Sequence, residues 1–131
     1  MANPNIVNVT QIYGQTNYLT PASTSTLVLI ANTSGSGNVF KVDQIVAANQ
    51  TNTAANVTVS FYSNGAVTSG NTASGGSAFP IASNISVPAY ASLIVMDKTT
   101  ASYLLEDRSI VVASGTASAI TFSVSYEQIS S

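Results

Sequence analysis

The stretch Ile120-Thr121-Phe122-Ser123-Val124-Ser125-Tyr126 decides the fold class. Four apolar side chains alternate with three hydroxyl-bearing ones, the period of a half-buried β-strand with one face inward and one outward. Residues 57–62, Val-Thr-Val-Ser-Phe-Tyr, repeat the pattern and run into Ser63-Asn64-Gly65, read as a turn in which Asn and Gly accept positive φ. Residues 26–31, 39–47, 93–96 and 110–113 are short, rich in β-branched side chains and bounded by Gly, Asn, Ser or Pro, so they are read as strands too. Residues 6–12 and 85–87 carry a weaker strand signal, the latter ended by Pro88, which has no N–H for a ladder.

No segment has the 3.6-residue period of an amphipathic helix, so a parallel α/β fold, which needs crossover helices, is excluded. The expectation is one domain over residues 1–131, an antiparallel β-sandwich or jelly roll of eight or nine strands. Residues 33–38, Thr-Ser-Gly-Ser-Gly-Asn, read as a hairpin tip between two strands. Residues 64–77 hold Gly65, Gly70, Gly75 and Gly76 among Ser, Thr, Ala and Asn, and read as a flexible loop with little to bury. Residues 1–12 read as an edge strand or an arm lying on a neighbouring subunit.

The surface implied by this composition is unusual. Of 131 residues 6% are charged, whereas about 25% is ordinary. The deficit is filled by 20 Ser, 15 Thr, 12 Asn and 5 Gln. With no His and no Cys, a Ser-His-Asp triad, a thiolate nucleophile and the usual zinc ligand sets are all excluded. Three cations, Lys41, Lys98 and Arg108, cannot form the basic stripe that a phosphate backbone needs, so nucleic acid is not an expected partner. The longest apolar run, residues 27–31, is far short of a bilayer span, and Met1-Ala2-Asn3-Pro4-Asn5 has neither the basic nor the apolar region of a signal peptide. The expectation is therefore a chain made without secretion and not inserted in a membrane.

Few side chains are left that could carry chemistry. Glu106 and Asp107 are the only adjacent carboxylates, and they read as part of a charged turn, Leu105-Glu106-Asp107-Arg108-Ser109, ahead of the strand at 110–113. A hydrolase built on them is the least favoured reading. No calcium-loop spacing occurs, and neither Gly-rich stretch is followed by the Lys-Ser/Thr of a phosphate loop, so neither metal nor cofactor is expected. Five Asn-x-Ser/Thr triplets, at Asn8, Asn32, Asn49, Asn56 and Asn84, follow from the abundance of these residues. Tyr62 and Tyr126 end alternating strands and read as residues at the core rim. Tyr13, Tyr18 and Tyr90 fall in loops or strand edges and, with Ile6, Val7, Val9 and Ile12 of the N-terminal segment, form the candidate contact surface. A surface with few ions lets copies pack closely without desolvating charge.

Three stretches carry a resemblance: residues 2–10, Ala-Asn-Pro-Asn-Ile-Val-Asn-Val-Thr; residues 79–89, Phe-Pro-Ile-Ala-Ser-Asn-Ile-Ser-Val-Pro-Ala; and residues 92–98, Ser-Leu-Ile-Val-Met-Asp-Lys, leading through 103–107 to the closing residues 124–129. Together they resemble small virion proteins of tailed phages, especially phages of cyanobacteria and other aquatic bacteria. The likeness spans most of the chain and lies in structural motifs; Asp107-Arg108 stands where that pattern has Gly-Asp before Ser. The resemblance implies a structural part of a particle, and small size, absence of chemistry and a low-charge packing surface make the first expectation a head-decoration (cement) protein bound to the major capsid protein as a homo-oligomer, with a trimer favoured, in virions assembled in the host cytoplasm. The Tyr-bearing loops and the flexible segment 64–77 motivate the alternative expectation, a tail or fibre component that binds a receptor or glycan.

Overall fold

The structure, a computed structural model, describes residues 9–130. It contains nine β-strands: β1 (Gln11–Leu19), β2 (Leu27–Asn32), β3 (Asn38–Asn49), β4 (Ala55–Tyr62), β5 (Ala78–Val87), β6 (Ser92–Met96), β7 (Ser102–Leu104), β8 (Arg108–Ser114) and β9 (Ile120–Ser130). One sheet has the order β1-β9-β3-β6, with β7 following β6 along the same edge of β3; the other has the order β2-β8-β4-β5. All pairings are antiparallel, and they are nested: β1 with β9, β2 with β8, β3 with β6 and β7, β4 with β5. The chain is thus a long hairpin rolled on itself, with β3 meeting β9 and β4 meeting β8 to close each sheet. That order is the winding of a jelly roll, which resolves the choice left open by the alternating pattern alone.

The core lies where the inward positions of both sheets meet. Val42, Ile45 and Ala47 of β3 and Ile120, Phe122 and Val124 of β9 face Val57 and Val59 of β4 and Ile110 and Val112 of β8, all buried. Phe40 and Tyr126 close one end as a tilted aromatic pair, ring centroids 4.9 Å apart. As expected, Tyr62 and Tyr126 are buried at the rim. Sheet burial of β8 is double-sided: Ile110 and Val112 enter the main core, while Val111 joins Val28 and Tyr62 on the opposite face beneath Val67 and Ala73.

That second cluster explains residues 64–77. The sequence reading has them as a flexible loop, since they offer little apolar surface. They form no regular strand, but their backbone is tied to the rim of β2: Val28 N–H donates to Asn71 O (2.9 Å), Gly70 N–H to Val28 O (2.8 Å) and Ala73 N–H to Thr26 O (3.0 Å). Gly76 N–H donates to the Tyr62 hydroxyl at 3.0 Å. Backbone hydrogen bonding thus anchors a segment that contributes only Val67 and Ala73 to the apolar packing.

Two readings are corrected and two strand readings are extended. Residues 33–38 do not close a hairpin, because β2 and β3 belong to different sheets and the segment crosses between them. The Asn64-Gly65 turn does not use left-handed backbone; glycine is needed at 65 because a Cβ there would lie 2.7 Å from Arg108 N and Asp107 Cα. The weak strand at 85–87 is the end of a ten-residue strand, β5, which accommodates Pro80 because it lies at a sheet edge. Near the N-terminus the edge strand begins at Gln11 and runs on to Leu19, beyond the reading's limit at 12; residues 6–8, including Ile6 and Val7, lie outside the described residues.

Candidate interaction surface

Register and alternation fix which side chains share the outer face of the β1-β9-β3-β6 sheet. Tyr18 lies opposite Ser123, Ser123 opposite Val46, and Val46 opposite Ile94, so one row runs Tyr18-Ser123-Val46-Ile94 across four strands. Its ends are the exposed ones, Tyr18 at 71% and Ile94 at 60%. One step along the sheet, Thr121, Ala48 and Ser92 form the next row, with Thr20 bonded to Thr121 through their hydroxyls (2.8 Å). On the other side stand Thr16, Ser125 and Gln44. This half of the face carries no charged side chain.

The charges are gathered elsewhere. Lys41, Asp43, Asp97, Lys98 and Glu127 line two adjoining depressions beyond Gln44 and Ser125, at the bulge between Val42 and Gln44. Lys41 and Glu127 approach to 3.9 Å. Asp97 caps the 3-10 turn Lys98–Thr100, accepting from Thr99 N–H at 2.9 Å and from the Thr99 hydroxyl, and these bonds hold its carboxyl below the ordinary aspartate range. The remaining three charges are Glu106 and Asp107, in the turn the sequence implies, and Arg108, which opens β8. All eight charged side chains therefore fall into two clusters; four of them, Lys41, Asp43, Arg108 and Glu127, sit on strands, the first two within the strand read at 39–47.

The adjacent carboxylates diverge. Glu106 accepts Gly37 N–H (2.8 Å) on Oε1 and Gly35 N–H (3.2 Å) on Oε2, gripping a loop whose two glycines have φ of +72° and +77°. Asp107 turns the other way and accepts Gly65 N–H at 3.1 Å. Each is an acceptor for loop backbone, and the two do not converge on a common point in front of a cleft. Among the described residues, no three His, Cys, Asp or Glu side chains form a group that could hold a metal ion. No helix among them is long and apolar enough to cross a membrane.

The sequence candidates are brought together only in part. Ile12 and Tyr18 are on the outer face of β1, with Ile12 in a row with Ile129 and Val39. Tyr13 is on the opposite side of β1, the side from which Gln15 accepts the Tyr126 hydroxyl (3.2 Å) and Asn17 donates to Leu29 O (2.9 Å), and it is exposed at the open rim. Val9 is half-buried just before the strand. Tyr90 stands apart at the β5–β6 connection, 73% exposed. Its turn is closed by Ala91 N–H to Pro88 O (3.1 Å), and its own N–H donates to Thr51 O (3.1 Å), with Tyr90 at φ +56°.

Sequence reading missed Val46 and Ile94, because the apolar run Leu93-Ile94-Val95-Met96 has no alternation to tell its outward member. It also missed a second exposed apolar site. Phe61, Phe79, Tyr103 and Leu105 line a groove of about 320 Å³ with Ser63 and Arg108 on its wall. Phe79 was hidden in a Gly/Ser-rich context that signals loop rather than surface.

Compared with known proteins, the chain matches no family model, no curated protein and no solved structure.

Proposed function

We propose that this chain is a structural protein of a tailed-phage virion, a head-decoration (cement) protein that lies on the outside of the capsid and bridges subunits of the major capsid protein. It works without cofactor and without catalysis, as a homo-oligomer. The observation that carries this reading is the uncharged half of the outer sheet face, with Tyr18 and Ile94 exposed at the ends of one row and Ser, Thr and Ala in the rows beside it. Such a face can be covered by another protein with no ion to desolvate. The jelly-roll winding, common among capsid proteins, and the sequence resemblance support the same reading by analogy.

Purified chain mixed with heads that lack it should co-sediment with them and raise their resistance to heat. Tyr18→Glu with Ile94→Glu should remain folded and lose head binding. Free heads that neither bind the wild-type chain nor gain stability count against the reading.

The groove lined by Phe61, Phe79 and Tyr103 supports a second reading, a tail or fibre component holding a glycan. Aromatic faces with a flanking Arg108 and Ser63 suit the apolar faces and hydroxyls of a sugar ring. Binding of the chain to host cells, abolished by Phe79→Ala, is the result this reading expects.

A further inference from the structure

The two sheets have four edges, and three are protected against pairing. The β2 edge is filled by residues 70–73 through the backbone bonds at Val28 and Thr26. The β5 edge carries Pro80, two register shifts and Asn84 at φ +54°. The β6/β7 edge is made of a five-residue and a three-residue strand interrupted by the turn that bears Asp97 and Lys98. Each is a known device for blunting a sheet edge.

β1 has none of them. It pairs with β9 over nine consecutive positions without a shift, and its sequence, Gln-Ile-Tyr-Gly-Gln-Thr-Asn-Tyr-Leu, has no proline and no charge. Residues 11–16 are all exposed. Among the described residues, only Asn17 Oδ1, which takes Tyr18 N–H at 3.1 Å, is given to that strand's own backbone from β1, and it lies beyond this run. Alternate backbone groups along an edge strand point away from the sheet and require partners. Gly14, at the middle of the run, is a second observation. Its φ is not left-handed and a Cβ there would meet nothing within 4 Å, so the chain's own fold gives no reason for a residue that weakens strands. A mid-strand glycine is accounted for where another backbone approaches closely.

We propose that residues 11–16 pair antiparallel with the same segment of a second copy, across a two-fold axis near Gly14, so that two β1-β9-β3-β6 sheets become one. A second copy is the fitting partner because self-pairing brings two identical strands together; a charged strand would repel itself, and β1 carries no charge. The axis near Gly14 places Ile12 opposite Thr16 of the second copy. This seam makes pairs, so a trimer, if assembled, uses other surfaces. The inference does not depend on the virion reading, because it concerns the isolated chain.

The test is sedimentation of the full chain. Wild type should be a concentration-dependent dimer. Ile12→Lys with Thr16→Lys should weaken self-association at least about tenfold, as should Ile12→Glu with Thr16→Glu, while far-UV circular dichroism stays unchanged. Mixing the Lys and Glu variants should restore dimers, since opposite charges then face each other across the seam. A wild-type chain that is monomeric at all concentrations overturns the proposal and points to a strand donated by another protein. So does a dimer that the charge substitutions leave intact.

Discussion

Asn32 and Leu104 meet in the interior: Asn32 Nδ2 donates to Leu104 O at 3.0 Å, with Asn32 wholly buried. The same nitrogen donates to Asn38 O (2.9 Å), and Asn32 Oδ1 accepts the Ser36 hydroxyl (2.6 Å). One amide thus joins the ends of β2, β3 and β7 at the crossing between the sheets. Asn32→Leu should lower unfolding free energy by about 3 kcal/mol, because it strands buried carbonyls as well as removing bonds. Urea denaturation of the two proteins measures this.

At Gly65 the constraint is space. A methyl group there would meet the backbone of Asp107 and Arg108, which cannot step aside as a flexible side chain does. Gly65→Ala should cost about 2–3 kcal/mol, in the range of overpacking in a closed site. Gly14→Ala, where space is open, should leave the unfolding midpoint of the isolated chain unchanged or raise it.

Tyr90 holds a left-handed backbone in a turn position that suits glycine. Tyr90→Gly should stabilise the chain by up to about 1 kcal/mol through relief of that strain. A ring kept exposed at such a position fits a contact role, so the same variant should bind heads less well. Thermal unfolding and head co-sedimentation read the two effects separately.

The Asp97 cap is pH-dependent. Because hydrogen bonds to the carboxylate lower its folded pKa below the ordinary value near 3.8, the cap's contribution is fully present above that value and is lost as pH falls through the lowered pKa. Titration followed by carboxyl-carbon NMR should give Asp97 a midpoint below that of a free aspartate, with Thr99 and Thr100 amide shifts moving at the same midpoint. Asp97→Asn should remove that titration and leave the sandwich folded.

The alternating strands were legible because each has one dry and one wet face: residues 57–62 encode β4 nearly to its limits, and residues 120–126 encode the first seven residues of β9, which runs on to Ser130. β7 and most of β5 were not. β7 is three residues long, and β5 is an exposed edge strand whose single fully buried side chain, Val87, leaves no alternation to read. The anchoring of 64–77 was hidden for a different reason, since it rests largely on main-chain groups that every sequence carries. Asn32 and Asn49 stood in the sequence as glycosylation triplets, yet both are buried; Asn49 donates to Thr53 O (2.8 Å) and Val87 O (3.1 Å), tying together the opposite end of the sandwich. At the candidate surface, Tyr18 and Ile12 could be picked out as apolar residues near the terminus. Their partners in the rows, Val46 and Ile129, are fixed only by the strand order, which is a long-range property of the winding.

The most direct test of the account is cryo-microscopy of the particle that carries this chain. A jelly roll resolved on the outer surface of the head, with the Tyr18–Ile94 face against capsid subunits, is the predicted result. Density for the chain confined to the tail or fibres, with none on the head, would contradict it.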